Sequence, residues 1–162
     1  MPGNETNRGF TLVELMVTLA VLAILATLAT PMFGDLIQKN KVDTVSAELT
    51  HLLQYARSEA ITRGTSVTVK VTDSNWVGAL EVDAGSEVLR KYGSEGINGS
   101  SSVTATASST KLNFSPSGTL SGDTTSLTIT LCPTSGSSTV TGRVLQIYGS
   151  GQITSSSTEC SS

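Results

Sequence analysis

The sequence predicts an α+β protein in which one long N-terminal helix packs against an antiparallel β-sheet head. Three observations carry this reading. An apolar run with a single charge occupies Phe10 to Phe33. A stretch with apolar residues at three- and four-residue steps follows it, to Arg63. From Thr65 onward the apolar period falls to two. These patterns specify a helix apolar on every side, an amphipathic helix and a set of half-buried strands. The 162 residues suffice for one modest domain plus an appendage.

The totals narrow the function classes. Charged residues are 14% and aromatics 4%, sparse for an enzyme of this size. Net charge is −3, from 10 basic and 13 acidic residues, and no basic run exists to make a broad nucleic-acid face. Apolar residues concentrate near the N-terminus, so the Ser/Thr/Gly-rich remainder has a thin core of the kind that often needs a staple. Cys132 and Cys160 form no C-x-x-C and have no histidine nearby, which is not a zinc pattern. In an oxidising compartment they are expected to form a disulfide; the alternative is two free thiols.

The first element follows a short polar segment, 1–9, whose only basic residue is Arg8. The run from Phe10 to Phe33 is long enough to span a bilayer as a helix, at about 20 residues. Its one charge is Glu14. A carboxylate costs on the order of 3 kcal/mol at the bilayer centre and less near the interface, so it calls for a partner. A secretory signal peptide would have a basic start and an apolar region of about 7–15 residues, shorter than this one. A plain single-pass anchor leaves Glu14 unexplained. A buried core helix is more than so small a head can cover. Pro31 removes one backbone donor and crowds the preceding turn, and Gly34 adds flexibility, so a kink is expected there; the alternative is that Pro31 ends the span.

The second element is amphipathic. Val42, Val45, Leu49, Leu52, Leu53, Ala56 and Ala60 make one stripe, with Asp43, Glu48, Gln54, Arg57 and Glu59 between them. The stripe spans too few heptads for a coiled coil and is expected to pack on the head's sheet. Arg63-Gly64 is a stop signal. His51, the only histidine, flanks the stripe with no activating group around it.

Strands follow. Val67, Val69 and Val71 alternate with polar residues. Trp76 to Val82 and Glu87 to Tyr92 read as strands joined by the turn Asp83-Ala84-Gly85-Ser86. Asn98-Gly99-Ser100-Ser101 reads as a loop, Leu112-Asn113-Phe114 as a short strand and Ser115-Pro116-Ser117-Gly118 as a turn. Ser126 to Cys132 alternates cleanly, Thr134 to Thr141 is a polar loop, Arg143 to Tyr148 is a strand and Gln152 to Thr154 a last short one. The head carries no phosphate loop, metal cluster or nucleophile motif, and serine without a base is no nucleophile. No enzyme activity, cofactor or metal is expected.

The N-terminal residues carry a resemblance. Gly9-Phe10-Thr11-Leu12-Val13-Glu14, ahead of an apolar stretch with Pro31, resembles the signal of type IV prepilins and type II secretion pseudopilins. Leu53-Gln54-Tyr55-Ala56-Arg57-Ser58-Glu59-Ala60, Phe114-Ser115-Pro116-Ser117-Gly118 and Gly142-Arg143 are similar to the GspH/FimT/FimU group. The resemblance covers nearly the whole chain and is weakest between Val71 and Lys111.

It implies a type IV pilin fold with a leader at 1–9, a transmembrane and filament-core helix at 10–33, an amphipathic half at 34–63 and a β-rich periplasmic head at 64–162. It implies cleavage by a prepilin peptidase after Gly9, N-methylation of Phe10, and pairing of Glu14 with a neighbour's terminal ammonium. Opposite charges in a low-dielectric core satisfy each other, where either alone would be penalised. It favours a kink at Pro31 and Gly34 within a continuing helix, and a Cys132–Cys160 disulfide pinning the tail. The expected partners are other minor and major pilins, the inner membrane and the pilus assembly platform. The expected function is a minor pilin that helps initiate a type IV pilus and enters it near the tip. A type II secretion pseudopilin is the first alternative. A DNA-binding minor pilin for natural transformation is the second. Some FimT-like proteins hold DNA through Gly-Arg-x-Arg; here Gly142-Arg143 matches but Leu145 stands at the second arginine. Phosphate binding needs several cations, and from Lys111 onward only Lys111 and Arg143 are basic.

Overall fold

The computed structural model describes residues 9–73, 75–93, 96–97, 102–122, 125–134 and 141–160, without the side chains of 28–33. The order of elements is α1 (Leu12–Arg63), β1 (Val67–Val71), β2 (Leu80–Ala84), β3 (Glu87–Lys91), β4 (Val103–Ala107), β5 (Lys111–Phe114), β6 (Leu127–Pro133), β7 (Thr141–Ile147) and β8 (Ile153–Glu159). The chain divides into two compact units, Met1–Gly34 and Asp35–Ser162.

In the first unit, Thr11 caps α1. Its hydroxyl accepts the Glu14 amide at 3.2 Å, and its carbonyl accepts the Leu15 amide at 3.2 Å. Thr18 and Thr27 turn their hydroxyls onto the carbonyls of Leu15 and Ile24, at 2.9 and 2.7 Å. Both polar groups are thereby satisfied inside an apolar helix. Among the described residues no helix is long and apolar enough to cross a membrane; the expected span includes 28–33, whose side chains lie outside them. The helix assignment runs unbroken through Pro31 and Gly34. The expected leader lies outside the described residues except for Gly9.

In the second unit, the stripe from Val42 to Ala60 is buried, each of its seven members at 3% exposure or less. It shares one core with Val67, Val69, Leu80, Val82, Leu112, Phe114, Leu127, Ile129, Leu131, Leu145 and Ile147. Gly64 closes the helix in the left-handed region, φ 63°, where a glycine carries no Cβ penalty.

The head has two four-stranded antiparallel sheets where the sequence suggested one. Their orders are β3-β2-β1-β5 and β4-β6-β7-β8. The two sheets divide the chain between them without a strict sequence boundary: β5 returns to pair with β1, whereas β4, which precedes it, pairs with β6. Pairing partners that distant leave no mark on the local period.

Three expectations need correction. Trp76 to Ala79 is a turn, and only Leu80–Ala84 is strand. Asp73 captures the amides of Asn75 and Ala79 at 3.2 and 2.9 Å, and Asn75 captures that of Val77 at 3.3 Å. Side chains that bind nearby backbone in this way compete with a strand ladder. Trp76 is buried from this turn, its indole N–H donating to the Ser109 carbonyl at 2.6 Å. Second, Val103–Ala107 is a strand that alanine and threonine left without a strong apolar alternation. Third, the last strand is seven residues long, although Ile153 is its only large apolar side chain. The expected loop at 98–101 lies outside the described residues, as does 135–140 of the expected loop at 134–141.

Candidate functional site

The first half of α1 carries the residues to which the sequence assigned assembly. Phe10, Leu12, Val13, Leu15, Met16, Val17, Leu19, Val21, Leu22, Ile24 and Leu25 are all half or more exposed, from 50% at Val21 to 83% at Phe10. These positions follow one another around the whole circumference of the helix, so no single face is the apolar one. Glu14 lies in the first turn of the helix, where the N-terminal end of the dipole favours a carboxylate. Among the described residues nothing partners its side chain. A Cβ built on Gly9 meets no atom within 4 Å, and the same holds at Gly34. The local fold therefore imposes no glycine at either position.

The head holds the other sequence-predicted residues. Arg143 leaves β7 toward the helix and donates its Nε to Asp43 Oδ1 at 2.6 Å. It also reaches the Ser157 hydroxyl on β8 at 3.4 Å. The hydrogen bond and charge of Asp43 hold the guanidinium above its ordinary pKa. Arg143 is thus a helix-to-sheet tie, with its charge matched locally. Beside the pair runs a shallow groove lined by Ala47, Thr50, His51, Gln54 and Ser155. His51 is exposed on its rim.

Cys132 and Cys160 are joined by a disulfide, with a Cα–Cα separation of 5.9 Å. The bridge lies over Gly142: a Cβ there would collide with Cys160 Sγ and with the Leu131 carbonyl, and would meet Cys132 Sγ at 3.1 Å. Gly142 faces Thr158 in the ladder, one residue before the arginine that ties β7 to the helix. The Gly-Arg pair therefore combines two structural needs: space for the disulfide and an ion pair to α1.

Arg57 is a residue whose role the sequence reading did not assign. Its Nε donates to the Gly118 carbonyl at 2.8 Å and its Nη2 to the Ser150 carbonyl at 3.2 Å. The helix thereby holds two turns that are far apart in sequence, Ser115–Gly118 and the β7–β8 hairpin. Gly118 and Gly151 have φ of 76° and 77°; a Cβ on Gly151 would collide with the Gly118 carbonyl, and one on Gly118 with the Ile61 side chain. Only glycine fits there. The signatures around Arg57, Phe114–Gly118 and the final hairpin are one joint in space; the signal that could have found it is their shared occurrence in a single chain.

A second tie lies at the end of the helix. Arg63 bridges Glu59 at 2.7 Å and Glu87 of β3 at 2.8 Å, and Arg90 of β3 stands 4.6 Å over the Tyr55 ring. Among the described residues no group of His, Cys, Asp or Glu is placed to hold a metal ion.

Comparisons with known proteins agree with this arrangement. A family model described as type II transport protein GspH matches residues 46–151. A second, the prokaryotic N-terminal methylation motif, matches 6–30. No curated protein matches the chain. Among solved structures, the type IV minor pilin FimU of Pseudomonas aeruginosa matches in two crystal forms, each at 29% identity. One has a TM-score of 0.60 and covers 71% of this chain and 87% of FimU. The other has a TM-score of 0.57, with 70% and 91% covered. The minor pseudopilin EpsH of the Vibrio cholerae type 2 secretion system matches at 12% identity and a TM-score of 0.48, covering 70% of this chain and 96% of EpsH. The helix-on-sheet head is the type IV pilin fold, and with a family model spanning well over half of its length the chain belongs to the GspH family.

Proposed function

We propose that this chain is a minor pilin that helps initiate a type IV pilus and is built into the filament, with its head outside the cytoplasmic membrane. The observation that carries the reading is the first half of α1. It is apolar on every side and half or more exposed at each large side chain described, while among the described residues every buried core residue lies from Val42 onward. Water is a poor solvent for such a segment. Lipid, and later the helices of other subunits, are the environments that suit it. Handing the helix from one to the other keeps its apolar surface covered throughout assembly.

Processing and docking follow from the same segment. Cleavage after Gly9 accounts for a glycine that the fold does not require. It would make Phe10 the methylated N-terminus and place the new ammonium one helical turn before Glu14. A neighbour's ammonium is then the partner for a carboxylate that has none among the described residues. The likeness to FimU supports the pilus; the description of the family model supports a type II secretion pseudopilin as the second reading.

The test is a count of surface pili by electron microscopy in a deletion strain that cannot retract them, with and without the gene restored. Loss of pili that the gene reverses supports priming of assembly. Normal pili with failed exoprotein secretion would replace this reading with the pseudopilin.

A further inference from the structure

The four edges of the two sheets are unequally protected. In the first sheet, β3 carries Glu87, Arg90 and Lys91 among its five residues, and its register with β2 shifts between Val82 and Asp83. The outer edge of β5 is already paired: Ser121 donates to the Asn113 carbonyl at 2.9 Å, and Leu120 bridges Phe114. Charge, bulge and cover are the usual protections of a sheet edge. The second sheet has none of them along most of its two edges. β8 runs for seven residues with no proline, one terminal charge at Glu159, and unbroken register against β7. β4, Val-Thr-Ala-Thr-Ala, has no charge and no proline. Among the described residues nothing pairs with the outer side of either strand.

The hydrogen-bond phase identifies the open groups. Tyr148 donates to the Gln152 carbonyl at 2.9 Å, closing the β7–β8 hairpin. Alternation then turns Thr154, Ser156 and Thr158 toward β7 and leaves the backbone of Ile153, Ser155 and Ser157 facing outward. On the opposite edge, Thr134 donates to the Ser102 carbonyl at 2.9 Å, so the outward groups are those of Val103, Ala105 and Ala107. Small side chains at four of these six positions, Ser155, Ser157, Ala105 and Ala107, let another backbone approach.

We infer that β8 is a docking edge that takes β4 of a second copy of this chain standing in the same orientation, so that the sheet continues from head to head. The inference rests on the assembly reading, in which all subunits enter a filament pointing the same way. Direction decides the partner. Each neighbouring pair in β4-β6-β7-β8 is antiparallel, so β4 and β8 run in opposite senses. A copy displaced sideways without reversal therefore presents β4 antiparallel to β8. Two β8 strands meeting antiparallel would require one head to be inverted, which shared insertion forbids. The contact uses different surfaces on the two copies, the kind that extends into an open array. Main-chain hydrogen bonds supply the attraction.

The test uses residues 35–162, which contain the disulfide and every buried core residue among those described. Heads with an N-terminal histidine tag are held on nickel-chelating lipid vesicles, giving one orientation, and energy transfer is read between donor- and acceptor-labelled copies. Ser157→Pro blocks β8 and Ala105→Pro blocks β4, each removing an outward amide, which edge strands tolerate; Ser157→Pro also removes the hydroxyl that accepts from Arg143. Melting curves check that the variants fold, and Ser155→Pro serves as a second block on β8. The doubly blocked head sets the background. Wild type is expected to exceed it, each single variant alone to fall to it, and a mixture of the two to recover transfer, because one keeps β4 open and the other β8. Wild-type transfer at background, or a mixture that stays there, overturns the inference. Absent transfer with gene-dependent pili removes the edge pairing alone; transfer with normal pili in the deletion strain removes the priming role alone.

Discussion

Glu14 is an exposed carboxylate in an apolar helix turn, and among the described residues nothing partners its side chain. Replacing it with alanine removes a charge that the fold does not use. Glu14→Ala is expected to leave a stable, membrane-bound, processed protein that enters sheared pili poorly; immunoblots of sheared filaments against cell-bound protein read this, and normal incorporation would end the pairing idea. Gly142 is the opposite case, a residue set entirely by its surroundings. A methyl group there collides with Cys160 Sγ and the Leu131 carbonyl. Gly142→Ala is expected to yield a fraction with free thiols, visible as a mass increase after alkylation without reduction. Arg57 lies between these extremes. Its loss strands the carbonyls of Gly118 and Ser150, and hydrogen bonds from charged groups contribute about 1.5–3 kcal/mol each. Arg57→Ala is expected to destabilise the head by roughly 2 kcal/mol in urea melts, the modest end because Nη2 is exposed.

At the scale of the element, the two halves of α1 have different masters. The second half answers to the core, where its stripe is wholly enclosed. Leu53→Ala is expected to cost about 2–5 kcal/mol, the range for a fully buried leucine. The first half answers to whatever surrounds it, so substitutions there are expected to act on insertion and assembly and to leave the head's melting unchanged. The first sheet carries a charge array on strands β1, β2 and β3. Lys70 bridges Glu81 at 2.9 Å and Asp83 at 2.7 Å, and Lys91 reaches Glu81 at 3.4 Å. The Lys70 ammonium holds Glu81 below the ordinary carboxylate value of 4.5. A carboxylate depressed in the folded state stabilises above its unfolded pKa, and that contribution is lost as pH falls through the lower folded value. Glu81 is therefore expected to titrate late in an acid series followed by NMR, and Lys70→Met to return it toward 4.5.

At the scale of the whole molecule, the disulfide joins positions 28 residues apart and holds a final strand with little apolar surface of its own. Closing a loop of this size removes unfolded-state entropy equivalent to about 3.5 kcal/mol. Cys160→Ser is expected to lower head stability by up to that amount under oxidising conditions and to change nothing once the wild type is reduced; equal melting curves in both conditions would show that the bridge contributes no stability.

The sequence by itself determined the elements whose signal is local. The apolar run, the stripe from Val42 to Ala60, the stop at Arg63-Gly64 and the alternation in β1, β6 and β7 were all legible, because burial on one face imposes a period on consecutive residues. Glu14 was legible because a charge in an apolar run is costly wherever it stands. Tertiary structure alone decided the partition into two sheets, the strand identity of Val103–Ala107, the turn at Trp76, the length of β8 and the joint at Arg57. Each of these depends on partners many residues away, or on a side chain capturing backbone that a ladder would otherwise use. Such contacts stabilise a residue without asking its neighbours in sequence to alternate, so they leave no period to read.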